Sequence, residues 1–325
     1  MPESQMRIRL GPAQRKALQV AVTLVVLGVL AFMVDFHKAA ELMRRADKLS
    51  LVAMTVLFPL DRLFMAWKWF LLARVRERTI SFWTGTRIYL GSTTIGLFLP
   101  LGGLGPDMVR VAMLSRNGMA SENALASILV ERVCGVAGSL LMLAMALVLL
   151  LMLLPEQAAG IGGYLSQAAR ITALGLVILA ALAIVAARIG LHRRVGSIIA
   201  ARPSLQRFSS AIGAYSGHYG LLVVSVLLAW LEQFAPVIAF ALAARGFGLP
   251  LGFLECAAIV PLASILERLP ISFAGLGVRE AGIALAAGWF GVSSTEALLA
   301  GFFEHTMFIM TMVPISLLYF VGQRK

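Results

Sequence analysis

Long apolar runs separated by short polar stretches make up most of the chain. A run of about 20 apolar residues is long enough to cross the hydrocarbon core of a bilayer as a helix. A membrane β-barrel would instead show segments of about 10 residues with alternating polarity. The pattern favours an all-α polytopic membrane protein, and it predicts full crossings at 17–34, 50–73, 121–154, 169–188, 219–244 and 295–321.

Two further apolar runs, 80–98 and 251–271, are interrupted in the same way. After the first comes LPLGGLGPDMVR (Leu99–Arg110), and the second ends in LPISFAGLGVRE (Leu269–Glu280). Proline and closely spaced glycines leave backbone groups unpaired, which is tolerated in a membrane only where protein or a water-filled cavity covers them. We therefore predict two re-entrant hairpins, over 80–116 and 251–291, whose gate or turn residues are Pro100, Gly103, Gly105, Pro270, Gly275 and Gly277.

The two halves of the chain share one order of elements: span, span, re-entrant hairpin, span. We predict a single membrane domain, 1–325, that contains two repeats, 17–154 and 169–321. Each repeat has an odd number of crossings, so the second is expected to be inverted relative to the first. The predicted fold is thus about six full crossings plus two re-entrant hairpins. Inverted repeats with broken helices are how many transporters build a central site that can face either side.

Composition supports a membrane protein, since 60% of the residues are hydrophobic and 14% charged, with a mean hydropathy of +0.89. The net charge of +12 could suggest a nucleic-acid partner. In a membrane protein, however, Lys and Arg concentrate in cytoplasmic loops, so we expect no nucleic acid. We predict that the chain is a multi-pass protein of the cytoplasmic (inner) membrane, that its N- and C-termini are both cytoplasmic, and that its most basic loop, 188–207, rests on anionic headgroups.

Charged residues inside apolar runs are costly, so they normally pair or line a polar cavity. In one interpretation, acid and base only hold helices together, and His305 is simply packed. In the other, the charges near the glycine turns bind an anion, because helix N-termini and guanidinium groups both favour one. The candidate substrate-binding residues are Asp107, Arg110, Glu131, Arg132, Glu267, Arg268, Arg279 and Glu280, and the secondary candidates are Asp61, Arg62, Glu232, Glu304 and His305.

Motifs of catalysis are missing from the sequence: it contains no phosphate-binding P-loop, no GxSxG elbow and no HExxH. The two cysteines, Cys134 and Cys256, lie in separate apolar runs without a CxxC partner, so we expect neither a disulfide nor a metal site. We expect no cofactor. Gly135 and Gly138 lie in an apolar helix, where glycine commonly serves close helix packing.

Four segments together resemble the lysylphosphatidylglycerol synthase/flippase transmembrane family. They are RLFMAWKWFLL, LFLPLGGLGPDMVRVAML, ASILVERVCG and LERLPISFAGLGVREAG. The first turn departs from the family pattern, because Pro106 stands between Gly105 and Asp107. The resemblance implies lipid translocation, in the best-known members of aminoacylated phosphatidylglycerol. Those members also carry a soluble aminoacyltransferase domain, and this chain resembles the membrane module alone.

We interpret the chain as a transporter-like lipid translocase rather than an enzyme. It would move an anionic or headgroup-modified lipid through a site between the two hairpins. One alternative is a membrane glycosyl- or acyltransferase that uses a lipid-linked substrate. Another is a non-catalytic partner of a separate lipid synthase. The partners considered are a membrane phospholipid or lipid-linked glycan, a separate lipid-modifying synthase and a second copy of the chain.

Overall fold

The computed structural model describes residues 47–97, 99, 104–155, 203–268 and 278–321, together with scattered positions between 162 and 175. Every element in these ranges is helical. The helices are α1 (Lys48–Ala73), α2 (Phe82–Leu97), α3 (Gly105–Arg116), α4 (Ser121–Leu153), α5 (Pro203–Gly213), a short 3₁₀ helix (Ala214–Gly217), α6 (Tyr219–Glu232), α7 (Phe234–Gly246), α8 (Phe253–Glu267), α9 (Val278–Gly288) and α10 (Ser294–Val321).

Four segments of this described part are long and apolar enough to cross a membrane: Lys48–Ala73, Ser121–Leu153, Tyr219–Gly246 and Ser294–Ile315. They coincide with four of the six predicted crossings, which confirms the all-α polytopic class. The other two, 17–34 and 169–188, lie wholly or largely outside the described residues, as do Pro100, Gly103, Pro270, Gly275 and Gly277. The inverted repeat therefore stays a prediction.

The predicted span 219–244 is not one continuous helix. It is interrupted at Gln233, where α6 ends and α7 begins. Pro236 explains the break, because it has no N–H to donate to the carbonyl of Glu232 and its ring crowds that carbonyl. The interruption lies within the candidate crossing and places the Glu232 side chain at the end of a helix.

Helix α1 shows how the spans are oriented. Leu49, Val52, Val56, Leu60 and Leu63 are exposed and recur every three or four residues. On the opposite side of the helix, Asp61 is buried. The apolar stripe therefore faces lipid, while the carboxylate points into the protein, which is the arrangement that a charged residue in a membrane helix requires.

Small residues pack the interior around α8, which lies against α4, α7 and α9. Ala257, Ala258 and Ala263 of α8 are fully buried. Because lipid tails are as apolar as the helices, packing in a membrane depends on close approach, which small side chains permit. Gly138 of α4 acts as predicted, since a Cβ atom there would lie 2.5 Å from the Ala229 carbonyl carbon.

Helices α2 and α3 form a tight hairpin, which is the described part of the first predicted re-entrant segment. A Cβ atom on Gly105 would lie 2.7 Å from the carbonyl oxygen of Gly96, and one on Gly96 would overlap the backbone of Pro106. Pro106 occupies the first turn of α3. Proline is favoured there because the missing N–H has no partner inside the helix, so the residue that departs from the family pattern starts the returning helix.

Substituting Gly96 by alanine is expected to lower the free energy of unfolding by about 1–3 kcal/mol, as overpacking does in other tightly packed interiors. The new methyl group meets backbone atoms of α3, which cannot move aside as a flexible side chain would. Thermal unfolding of the purified protein in detergent measures the loss. Gly220→Ala is the matched control, since a Cβ atom there meets nothing within 4 Å. Equal unfolding temperatures for the two variants would contradict the tight hairpin.

Candidate functional site

A cavity of about 240 Å³ lies where the two helix pairs α2–α3 and α8–α9 meet the long helices. All the long helices contribute to it. Six carboxylates and five arginines line the cavity, together with His305 and several polar and apolar groups. The carboxylates are Asp61, Asp107, Glu131, Glu232, Glu267 and Glu304, and the guanidinium groups are those of Arg62, Arg110, Arg132, Arg268 and Arg279.

Ion pairs attach α3 to α4 at one end of the cavity. The Arg110 Nη1 donates to Glu131 Oε2 at 2.7 Å, and Arg132 donates to Asp107. Arg110 also lies 3.9 Å from an Asp107 oxygen. Two acids and two bases from two helices thus neutralise one another and hold the returning arm of the first hairpin against the following span.

Aromatic side chains complete the surroundings of Arg110. Its guanidinium carbon lies 4.0 Å from the Tyr89 ring centroid and 5.5 Å from that of Trp69. The Tyr89 hydroxyl donates to Glu131 at 3.2 Å. A guanidinium that is out of water gains from such contacts with aromatic faces. Tyr89 therefore belongs to the site, although nothing in its apolar segment of sequence singled it out.

A second ion-pair group joins α9 to α10 at the other end. Arg279 donates to Glu304, and its guanidinium lies 3.8 Å from Glu267 and 3.7 Å from Glu280. Glu304 and Glu280 are buried, whereas 43% of the Glu267 side chain is exposed. Three carboxylates thus surround one arginine, and two of them, Glu267 and Glu304, line the cavity.

Asp61 and Arg62 lie between these two groups on α1. The Arg62 Nη2 donates to Asp61 Oδ2 at 2.6 Å, and the guanidinium carbon lies 5.2 Å from the Phe308 ring centroid. The other Asp61 oxygen is buried and accepts no hydrogen bond. His305 also lines the cavity and contacts Phe308, so its ring is in the site rather than only packed in the interior.

Lys68 is a buried charge that sequence reasoning missed. A lysine between two tryptophans, here Trp67 and Trp69, is typical of an anchor at the membrane surface. In the structure it is 1% exposed and donates to Glu232 of α6. A signal was available: Lys68 lies seven residues after Asp61, which is two helical turns, so both side chains share the inward face of α1.

Arg268 caps α8 and reaches toward the same carboxylate. Its Nη2 is 3.9 Å from Glu232 Oε1, and its carbonyl accepts a hydrogen bond of 3.0 Å from Arg132. A Cβ atom on Gly135 would overlap the Arg268 guanidinium. Close helix packing, which we expected of Gly135, is therefore not its role: the glycine makes room for a charged side chain.

Both returning helices have an acid in their first turn. Asp107 lies there in α3 and Glu280 in α9. These carboxylates already complement the positive end of each helix dipole, and Pro106 supplies no N–H. An added anion is thus better placed against the guanidinium groups than at either helix N-terminus.

The structure brings nearly all of the described candidates together. Glu280 does not line the cavity and lies behind Arg279, and Gly105 packs against Gly96 within the hairpin. No group of three His, Cys, Asp or Glu side chains in the described part of the chain is arranged to hold a metal ion. The eleven charged candidates that line the cavity, all predicted from sequence, are Asp61, Arg62, Asp107, Arg110, Glu131, Arg132, Glu232, Glu267, Arg268, Arg279 and Glu304.

Fold and site together define a multi-pass α-helical membrane protein with a charge-lined cavity. The family model described as the lysylphosphatidylglycerol synthase TM region matches residues 17–315. The chain therefore belongs to that family, which supports a membrane lipid-related function. No curated protein matches it significantly.

Proposed function

We propose that the protein is a lipid translocase that binds the headgroup of an anionic or headgroup-modified lipid in the cavity. The single observation that carries the proposal is the convergence of eleven charged side chains from seven helices on a cavity of about 240 Å³. Each charged group in a membrane interior costs about 2.5–3.5 kcal/mol even on insertion scales. An inert bundle would gain more from apolar side chains of the same volume.

The size and lining of the cavity support a headgroup rather than a whole lipid as its occupant. The volume suits a phosphate with a small substituent, and the lining offers polar partners on all sides. The acyl chains stay in the bilayer, against the exposed apolar surfaces of helices such as α1. Movement of the α3 and α9 arms then exposes the headgroup to one leaflet or the other, as expected for the inverted repeat. In this arrangement the protein lies in the inner membrane with both termini cytoplasmic.

Reconstituted vesicles that contain a headgroup-labelled fluorescent phospholipid test the proposal. The outer-leaflet label is quenched chemically, and the wild-type protein is expected to render the inner-leaflet label accessible. The double variant Arg279→Gln/Glu304→Gln keeps the hydrogen-bonding shape of its pair but removes both charges. We expect its transport rate to fall by about tenfold or more, as the loss of a charge-assisted contact implies. Arg76→Gln, at an exposed residue outside the cavity, is the control and should transport normally.

The outcomes separate the three candidate functions. A covalently altered lipid, detected by mass spectrometry in the same vesicles, would favour the transferase. No transport by a correctly folded isolated chain would favour a non-catalytic partner of a separate synthase. Unchanged transport by the double variant would contradict a role for the charges at the α9–α10 end of the cavity in transport.

A further inference from the structure

Arg268 is bonded differently from the other arginines of the cavity. Arg62, Arg110, Arg132 and Arg279 each donate a hydrogen bond to a carboxylate. Among the described residues, Arg268 makes only a longer ion-pair contact, 3.9 Å, with Glu232. Its Nε, like the Nη1 of Arg279, is buried without a hydrogen-bond partner, but Arg279 also donates to Glu304. Within the described part of the chain, the Arg268 guanidinium is thus the cavity cation that has most hydrogen-bonding capacity left for a ligand.

Glu232 does not depend on Arg268 for its neutralisation. Lys68 donates to the other Glu232 oxygen, Oε2, from within the protein. Arg268 can therefore leave Glu232 without stranding a buried carboxylate, which would otherwise be strongly unfavourable. In the described part of the chain, each of the other cavity arginines donates the hydrogen bond that neutralises its carboxylate. Moving Arg110, for example, would leave Glu131 with only the Tyr89 hydroxyl.

Gly135 shapes the position of the guanidinium. The Arg268 side chain occupies the space beside Gly135 where any larger residue would place its Cβ atom, and Arg132 holds the Arg268 backbone carbonyl. The backbone and the side-chain position of Arg268 are thus both defined, although its guanidinium donates no hydrogen bond to a carboxylate. Such a preorganised guanidinium suits the bidentate recognition of a phosphate.

We propose that Arg268 is the residue that binds the phosphate of the lipid headgroup, exchanging Glu232 for it while Lys68 keeps Glu232 neutralised. This assignment rests on the proposed function and reduces the eight substrate-binding candidates to one anion-binding group. Gly135 is a positioning residue: it affects phosphate binding by leaving room for the Arg268 guanidinium. The remaining arginines hold the α3 and α9 arms to their neighbouring spans.

Binding of phosphatidylglycerol and of diacylglycerol to the purified protein in nonionic detergent separates phosphate recognition from acyl-chain binding. The readout is lipid-dependent thermal stabilisation over a titration. We expect wild type and Arg76→Gln to prefer phosphatidylglycerol, and Arg268→Gln to bind it about tenfold or more weakly, as the loss of a charge-assisted contact implies. Without lipid, Arg268→Gln should unfold at the wild-type temperature, because the arginine side chain donates no hydrogen bond that the change removes.

Two further variants make the assignment specific. Arg268→Lys should retain part of the preference, because it keeps the charge and loses the planar fork. Gly135→Ala should weaken phosphatidylglycerol binding while leaving diacylglycerol binding unchanged, a difference that a merely structural defect would not produce. Equal phosphatidylglycerol binding by Arg268→Gln and wild type would overturn the assignment and leave the translocase proposal standing. If the wild-type protein did not prefer phosphatidylglycerol to diacylglycerol, the proposal that the cavity binds an anionic headgroup would itself be contradicted.

Free glycerol phosphate distinguishes a lipid site from a soluble-anion site. It carries the same phosphate without acyl chains, so it should stabilise the protein only at much higher concentrations than phosphatidylglycerol. If glycerol phosphate and phosphatidylglycerol stabilised the protein at similar concentrations, the conclusion that a lipid occupies the site would be overturned.

Discussion

Replacing Lys68 by glutamine is expected to lower the free energy of unfolding by about 3–5 kcal/mol, the cost of breaking a buried ion pair from one side. The pair joins α1 to α6, and both side chains are almost fully buried. Without the ammonium group, the one ion-pair contact left to Glu232 among the described residues is that with Arg268, at 3.9 Å. Chemical unfolding in detergent, followed by tryptophan fluorescence, measures the difference.

The double variant Lys68→Gln/Glu232→Gln is the control for this prediction. It replaces the ion pair by two amides that can hydrogen-bond, so it should recover most of the lost stability. If the double variant recovered none of the stability that the single variant loses, a specific ion pair between Lys68 and Glu232 would be contradicted. The single variant should also bind phosphatidylglycerol more weakly than wild type, because Arg268 is then needed to neutralise Glu232.

Substituting Arg110 by methionine is expected to cost a similar amount, about 3–5 kcal/mol, and to release α3 from α4. The change leaves Glu131 without its guanidinium partner and removes the stack on Tyr89. Hydrogen–deuterium exchange should show faster amide exchange across 105–116 before the rest of the protein is affected. Arg116→Met is the control, since it lies at the exposed end of the same helix.

A second variant separates charge from stacking at this position. Arg110→Lys keeps the positive charge but cannot lie flat on Tyr89, and it should lose only part of the stability. If exchange across 105–116 stayed slow in Arg110→Met, the ion pairs would not be what holds this arm of the hairpin, and the tight contact of Gly96 with Pro106 would have to suffice.

The two ends of the cavity differ in a way that bears on transport. At the α3–α4 end, acids and bases balance and are hydrogen-bonded in pairs. At the α9–α10 end, Arg279 is shared among three carboxylates, and one of them, Glu267, is half exposed. The arms of the two hairpins are thus attached by different charge arrangements, and under the proposed function each arrangement is one that transport would have to open.

Local patterns in the sequence were enough to predict the elements and the inward direction of most charges. Four crossings, the helix that follows LPLGGLGP and the inward position of Asp61 all follow from hydrophobic length, backbone hydrogen bonding and the cost of charge in lipid. The same reasoning failed for Lys68, because a lysine between two tryptophans is typical of a membrane surface. It also failed to predict the helix break at Gln233, although Pro236 was visible.

The sequence could not predict which charged side chains pair with each other, because this depends on contacts between distant parts of the chain. Lys68 and Glu232 are 164 positions apart, and Gly135 meets Arg268 from another helix. Nothing local distinguishes Arg268 from Arg132 or Arg279, since all three lie next to a break or an acid. Only the packing of α8 against α4, which places Arg268 beside Gly135 and 3.9 Å from Glu232, shows that one of them lacks a hydrogen-bonded carboxylate.

The sequence by itself determined that this chain is a helical membrane protein with broken helices and charges gathered inside it. Those properties follow from the length of apolar runs and from the requirement that every backbone polar group be satisfied within the bilayer. The tertiary structure decided which acid neutralises which base, and therefore which cation lacks a hydrogen-bonded carboxylate. That choice is set by distances of a few ångströms between helices, because electrostatic and hydrogen-bonding energies fall steeply over such distances.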